Sequence, residues 1–199
     1  MHSPVEGKPA GSSGGMLTSI RHIDHVTYVA ANEDEKRFCD TWNHLGFHET
    51  VRLRTVRYPA THIALTSGKI EGFPWLTMTG LSVSEDPSSP INEFVRRYGA
   101  GIQHVAYNVD PEFDVHQVFD MLKKDGWDFM TPVLSYQDEN EGHLHQFFAK
   151  PAAPFGTFVE FTQRLEGKTG EVFGGFNTDV IDDLYDHYRD VSLHMEKLK

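Results

Sequence analysis

This chain has a single cysteine, Cys39, so no intrachain disulfide framework can hold it together. A reducing, cytoplasmic setting is the default expectation for such a sequence. No apolar run approaches the roughly 20 residues that a membrane-spanning helix needs. Basic residues are scarce as well: 18 Lys and Arg against 29 Asp and Glu leave a formal net charge of −11. A surface of that sign repels phosphate backbones and anionic bilayers, so neither nucleic acid nor membrane is expected as a partner. What is present is a 199-residue chain, 39% hydrophobic and 12% aromatic, enough for one domain with a core. Cys39 lies beside Phe38 in an expected helix and reads as a packing thiol rather than a nucleophile. Residues 1–15, rich in Gly, Ser and Pro, read as a disordered leader or a vector-derived remnant, and residues 16–199 as a single domain.

The most informative feature is a repeat. Ile23-Asp24-His25-Val26-Thr27-Tyr28 returns 79 residues later as Ile102-Gln103-His104-Val105-Ala106-Tyr107, and Leu45-Gly46-Phe47 is echoed by Asp125-Gly126-Trp127. A fixed spacing in matching order implies one supersecondary unit used twice. The first unit, about residues 20–83, reads as β-α-β-β-β. Its strand at His22–Ala30 alternates apolar and polar residues. Asn32 is the expected N-cap of a helix carrying Phe38, Trp42 and Leu45, and Gly46 ends that helix. Strands follow near Phe47–Leu53, Tyr58–Ser67 and Trp75–Val83. A polar linker at Ser84–Ser89 and a short helix at Ile91–Tyr98 lead to the second unit, about 100–165. There a strand at Ile102–Val109 and a helix at Val115–Lys124 precede strands at Trp127–Pro132, His143–Lys150 and Phe155–Arg164. Asn177 is the expected cap of a last helix, about 177–195, with Val180, Ile181, Leu184, Tyr188 and Val191 as its apolar stripe. That stripe must dock on something, either the sheet or a pocket that the helix closes as a lid.

Each copy of the repeat sets a histidine in the middle of an apolar strand, where an uncharged residue packs more cheaply. Two histidines on equivalent strands can face one cavity. Phe158-Val159-Glu160-Phe161 adds a carboxylate among bulky apolar neighbours, costly to bury unless paired or bound to metal. Two histidines and one carboxylate are the facial triad of a non-haem Fe(II) oxygenase, which leaves open positions for substrate and O₂. His143-x-His145 is the competing pair. Period-two alternation sets both on the strand face opposite Gln146 and Phe148, and they read as outward. His22 likewise falls opposite His25, and His44, His48, His62, His116, His187 and His194 have no motif support.

At these residues the chain resembles the vicinal-oxygen-chelate superfamily, and within it the C-terminal catalytic half of 4-hydroxyphenylpyruvate dioxygenase. The likeness runs over about residues 20–190 and rests on Ile23–Val26, Tyr98–Ala106, Gln146–Pro151, Phe158–Arg164 and the Gly-Gly-Phe-Asn run at Gly174–Asn177. It implies an α+β fold of paired βαβββ modules, the glyoxalase-like fold, with a C-terminal helix as gate. It implies that His25, His104 and Glu160 hold Fe(II). Gln103 and Gln146 would belong to the substrate-binding network, and Phe148 would form a wall against the substrate. Strand alternation by itself points Gln103 away from His104. Full-length members carry a further N-terminal domain and an asparagine-bearing strand between the modules, neither of which this sequence shows. Thr178 stands where the family's gate has an aromatic, unless Phe176 takes that role.

The activity so implied is oxidative decarboxylation of a 2-oxo acid by O₂, coupled to hydroxylation; the partners are a small molecule and O₂, and a homodimer is left open. Three other readings stay in view. Extradiol ring-cleaving dioxygenases use the same two-histidine, one-glutamate set. A glyoxalase-like enzyme takes a fourth ligand from the last strand of the first module, where Leu76-Thr77-Met78-Thr79 offers no carboxylate. A ligand-sequestering protein of the bleomycin-resistance type needs no triad at all.

Overall fold

A computed structural model of the chain describes residues 19–68, 75, 77–151, 156–172, 174–176 and 178–196, with side chains as far as 189. The expectations for residues 1–15, Phe155, Asn177 and the Val191 and His194 side chains lie outside the described residues.

The first module holds β1 (Ile20–Val29), α1 (Glu35–His44), β2 (His48–Thr55), β3 (Ala60–Ser67) and β4 (Thr77–Val83). After α2 (Pro90–Tyr98), the second holds β5 (Gly101–Val109), α3 (Val115–Lys124), β6 (Leu134–Gln137), β7 (His143–Phe148) and β8 (Phe158–Leu165), and α4 (Thr178–Glu196) follows. The strands form one sheet in the order β2-β3-β4-β1-β5-β8-β7-β6. β1 and β5 pair antiparallel at its centre, and each has its own module's last strand beside it in parallel. The expected pair of βαβββ modules is therefore the observed architecture.

Local chemistry accounts for most element ends. Gly46 and Gly126 close α1 and α3 at φ +86° and +93°, where a Cβ would be strained. Ser89 accepts from the Asn92 amide at α2, and Asp114 accepts from the His116 and Gln117 amides at α3. Two expectations are corrected. Asn32 does not cap α1: residues Asn32–Asp34 form a 3-10 turn, and Asp34 stands at the N-cap position without a side-chain bond. The Asp34 amide reaches the Ala31 carbonyl at 3.0 Å, so the turn already uses one of the otherwise unpaired first-turn donors.

The strand expected at Trp127–Pro132 is a single bridge at Phe129, and the ladder begins at Leu134. The alternating aromatics there serve packing instead, with Phe129 tilted against Phe119 and edge to face with Phe147 and Phe161. Pro132 supplies no ladder donor.

The two faces of the sheet differ. On one, α1 packs Phe38 and Trp42 onto Phe47, Leu65 and Leu81, and α3 packs Val115, Val118 and Leu122 onto Phe147 and Phe161. On the other, α4 and α2 meet in one cluster that joins Leu184, Tyr185 and Tyr188 to Ile91, Phe94, Phe148 and Phe158. Asp183 of α4 accepts from Tyr136 at 2.9 Å, and Asp186 accepts from Tyr58 at 2.5 Å and from Arg57. The helix is thus tied to both modules. No described helix is long and apolar enough to cross a membrane.

Candidate metal centre

Seven of the eight strands contribute to the wall of one cavity, which the sheet curls around and α4 covers. Its volume is about 60 Å³, room for roughly four waters. His25 from β1, His104 from β5 and Glu160 from β8 meet there, each almost fully buried, with one donor atom apiece inside 4.8 Å of the others. Glu160 Oε2 lies 3.4 Å from His25 Nε2 and 3.3 Å from His104 Nε2, and the two imidazoles stand edge to face.

The atoms not converging on that point are already used. His25 Nδ1 donates to Asp24 Oδ1 at 2.7 Å, and His104 Nδ1 donates to Gln103 Oε1 at 3.2 Å. Glu160 Oε1 accepts from Gln146 Nε2 and from the Thr162 hydroxyl. Each residue is left with one ligand atom, His25 Nε2, His104 Nε2 and Glu160 Oε2, and the three lie close together. That is the donor set of a divalent metal held by imidazole and carboxylate, with the outer partners that fix tautomer and orientation.

Charge follows the same asymmetry. Burial alone would lower the His25 pKa, but Glu160 and the hydrogen bond to Asp24 outweigh it and raise it to about 9. Burial takes His104 down to about 4 against the pull of Glu160. Glu160 resists its own desolvation because of His25 and lies at about 2. Without metal, a proton on His25 neutralises the carboxylate, and a cation entering the site takes that proton's place.

Backbone register shows how a period-two strand delivers this. Shifts in the β1–β5 pairing fall at Ile23–His25 and at Thr27–Tyr28, the latter leaving Gln103 without a partner residue. These bulges turn Asp24 and Gln103 to the same side as the histidines that follow them. Gln103 therefore lies on the side of His104 that the family resemblance implies and not on the side that simple alternation assigns: both are buried and both line the cavity. Asp24 was not singled out in the sequence; its signal was the repeat itself, since it occupies the position equivalent to Gln103.

The register extends the equivalence further. Ala106 pairs with Glu160 and Thr27 pairs with Gly80, so Gly80 is the first module's counterpart of Glu160. By the same reasoning Ser82 matches Thr162, and His62, paired with Ser82, matches Gln146, paired with Thr162. A two-fold site would carry two glutamates. This one carries a single glutamate and, opposite it, a glycine at which a Cβ would stand 2.9 Å from Thr27 Oγ1.

His62 is a cavity residue that the motifs did not reveal. Its Nδ1 meets Ser82 Oγ at 2.8 Å and its Nε2 meets Thr55 Oγ1 at 3.2 Å. Burial pushes it down to about 4 from the ordinary 6.5. The unfolded chain therefore binds the extra proton first. This contribution to stability is intact above pH 6.5 and is lost as pH falls toward 4. Between pH 6.5 and 5 the loss is about 2 kcal/mol at 1.36 kcal/mol per unit. Urea unfolding at pH 7 and pH 5 is expected to show wild type losing about that much more than His62→Gln.

Phe148 and Phe176 line the cavity, Phe148 with its ring nearly perpendicular to His104 at 6.3 Å and Phe176 with its ring perpendicular to His25 at 5.3 Å. Phe176, not Thr178, is thus the aromatic that the segment before α4 contributes. His143 and His145 stack on each other on the opposite face of β7, away from the cavity, and Ser135 meets His145 Nδ1.

Paired βαβββ modules in one curled sheet give the chain the glyoxalase-like fold. A triple mutant of 4-hydroxymandelate synthase from Streptomyces coelicolor superposes with a TM-score of 0.69 at 21% identity, over 83% of this chain and 53% of that one. A fusion of a xylose isomerase-like TIM barrel with a 4-hydroxyphenylpyruvate dioxygenase superposes at 0.65 and 17%, over 86% and 30%. A methylmalonyl-CoA epimerase does so at 0.55 and 22%, over 72% and 95%. The chain spans about half the length of the synthase. No family model and no curated protein matches the sequence. At these identities the likeness establishes the fold, and function must be argued from the site.

Proposed function

We propose that this chain is a non-haem Fe(II) dioxygenase resembling 4-hydroxyphenylpyruvate dioxygenase, acting on a 2-oxo acid by oxidative decarboxylation and hydroxylation. The observation that carries the reading is the single glutamate opposite Gly80. It gives three protein ligands, His25, His104 and Glu160, and leaves the first-module side of the centre to substrate and O₂. A fourth protein ligand, as in the glyoxalase-like enzymes, has no carboxylate on β4 to come from. Iron bound here would supply the activation of O₂ and the anchoring of the 2-oxo acid through its carboxylate and keto oxygens. In the overall reaction the carboxylate leaves as CO₂. One oxygen atom of O₂ enters the new carboxylate and the other becomes the hydroxyl.

The remaining residues bind and orient. The Glu160 carboxylate can only accept, so the Gln146 amide must turn its nitrogen toward it, and its buried Oε1 is left without a protein partner in the cavity wall. Gln103, with its oxygen on the His104 N–H, leaves its buried Nε2 in the same condition. One donor and one acceptor are thus placed where a polar substrate can meet them. Phe148 and Phe176 supply apolar walls. Val180, Ile181, Leu184 and Tyr185 of α4 line the same cavity, so the helix borders any substrate bound there.

Anaerobic Fe(II) reconstitution followed by O₂ uptake tests the reading. Uptake with an aryl 2-oxo acid, accompanied by CO₂ release, is the expected result. Uptake with catechols alone assigns extradiol ring cleavage instead. Bound metal with no O₂ uptake turns the reading toward the isomerase branch of the fold. No bound metal points to ligand sequestration.

A further inference from the structure

The two outer partners of the histidines occupy equivalent positions, yet only one is charged. Gln103 orients His104 with a neutral amide oxygen and so shows that orientation needs no carboxylate. Asp24 is fully buried, and burial would raise its pKa, but Arg164 and His25 hold it ionised, well below the usual carboxylate range. Arg164 Nε donates to Asp24 Oδ2 at 2.9 Å and Nη2 donates to Oδ1 at 3.1 Å. Burying such a pair is expensive and contributes little to stability by itself. A second role is therefore worth seeking.

The rest of the guanidinium supplies it. Arg164 Nη1 donates to the Gly175 carbonyl at 3.1 Å, in the segment that leads into α4. Its Cζ lies over two rings, 4.9 Å from the centre of Trp75 and 5.5 Å from the centre of Phe176. Trp75 in turn donates from Nε1 to the Asp24 carbonyl at 3.3 Å. Phe176, held in this way, stands perpendicular to the His25 ring and forms part of the cavity wall. Glu160, Thr162 and Arg164 are alternate residues of β8 and share one face. One strand therefore carries the carboxylate, the hydroxyl that steadies it, and the cation that reaches both His25's partner and the gate.

We infer that Arg164 is a positioning residue that docks Phe176 against His25, so that the occupancy of the metal centre and the closure of residues 174–176 are coupled. This rests on the metal-centre reading above. A metal on His25 Nε2 fixes the imidazole, and through it Asp24, Arg164 and the Phe176 stack. By reciprocity, anything that lifts Phe176 loosens the hold on His25. A lysine keeps the charge beside Asp24 but has neither a planar face nor the fork that also reaches Gly175.

The test is hydrogen exchange at the amides of 174–176, with and without Co(II), together with the Co(II) dissociation constant from the visible ligand-field bands. Wild type is expected to bind one Co(II) and to slow exchange there by roughly 5–150-fold, the range of ordinary coupling energies. Arg164→Lys and Phe176→Leu are each expected to bind Co(II) while losing most of that slowing. Phe176→Leu leaves the buried pair intact and decides the matter if Arg164→Lys does not fold. Wild-type binding with the slowing unchanged in Phe176→Leu overturns the coupling alone. A wild type that binds no Co(II) overturns the metal-centre reading and the coupling with it.

Discussion

Glu160→Gln is expected to weaken Fe(II) binding by more than the roughly 10–100-fold that loss of an outer partner costs, because it removes the only anionic ligand atom. The amide keeps the size of the side chain and an oxygen for Gln146 and Thr162, so the fold has little reason to change. At a thousandfold excess of metal over its dissociation constant, wild type gains about 4 kcal/mol of stability, and the variant is expected to gain little of it. For a domain of this size that is roughly 8–16 °C in melting temperature. Melts of both proteins with Fe(II) and with chelator read the difference, and effects unrelated to metal cancel in the comparison. Equal metal-induced shifts in the two proteins would remove Glu160 from the centre.

Ending the chain at Leu165 is expected to abolish cooperative folding, although all three proposed ligands would remain. The deletion strips Val180, Leu184, Tyr185 and Tyr188, each buried against the sheet or α2. At about 1.5–3 kcal/mol for each side chain the loss is about 6–12 kcal/mol, comparable to the whole stability of an ordinary domain. Circular dichroism melts of the shortened chain check this. A cooperative transition near the wild-type temperature would instead make α4 a detachable cover over an independently folded core.

The repeat made the fold legible because the two modules keep the same spacing where it counts. His25 and His104 are 79 residues apart, and Gly80 and Glu160 are 80 apart. Alternation and cap chemistry located most of the elements, and the aromatic run at Trp127–Pro132 misled because packing onto α3 imitates the period of a strand. In the site, strand-centre polarity picked out His25, His104 and Glu160. Asp24 and Gln103 were harder, since a β-bulge reverses the side that alternation assigns. His62 was hidden because unequal loops put it 84 residues from its counterpart Gln146, outside the repeat's own spacing, and a histidine matched to a glutamine leaves no identity to find. Arg164 lay within a quoted motif, but its bond to Asp24 spans 140 residues and no local pattern announces it.

Whether His25, His104 and Glu160 form one metal centre is decided by metal stoichiometry in wild type and His104→Ala. Anaerobic Fe(II) titration is expected to load one ion per wild-type chain. Between pH 6 and 8 the apparent affinity should rise about tenfold per pH unit, as the metal competes with the single proton on His25. His104→Ala is expected to load none at the same concentrations. A wild type that binds no iron, or a His104→Ala protein that binds it as tightly as wild type, would show that these three residues are not a metal centre.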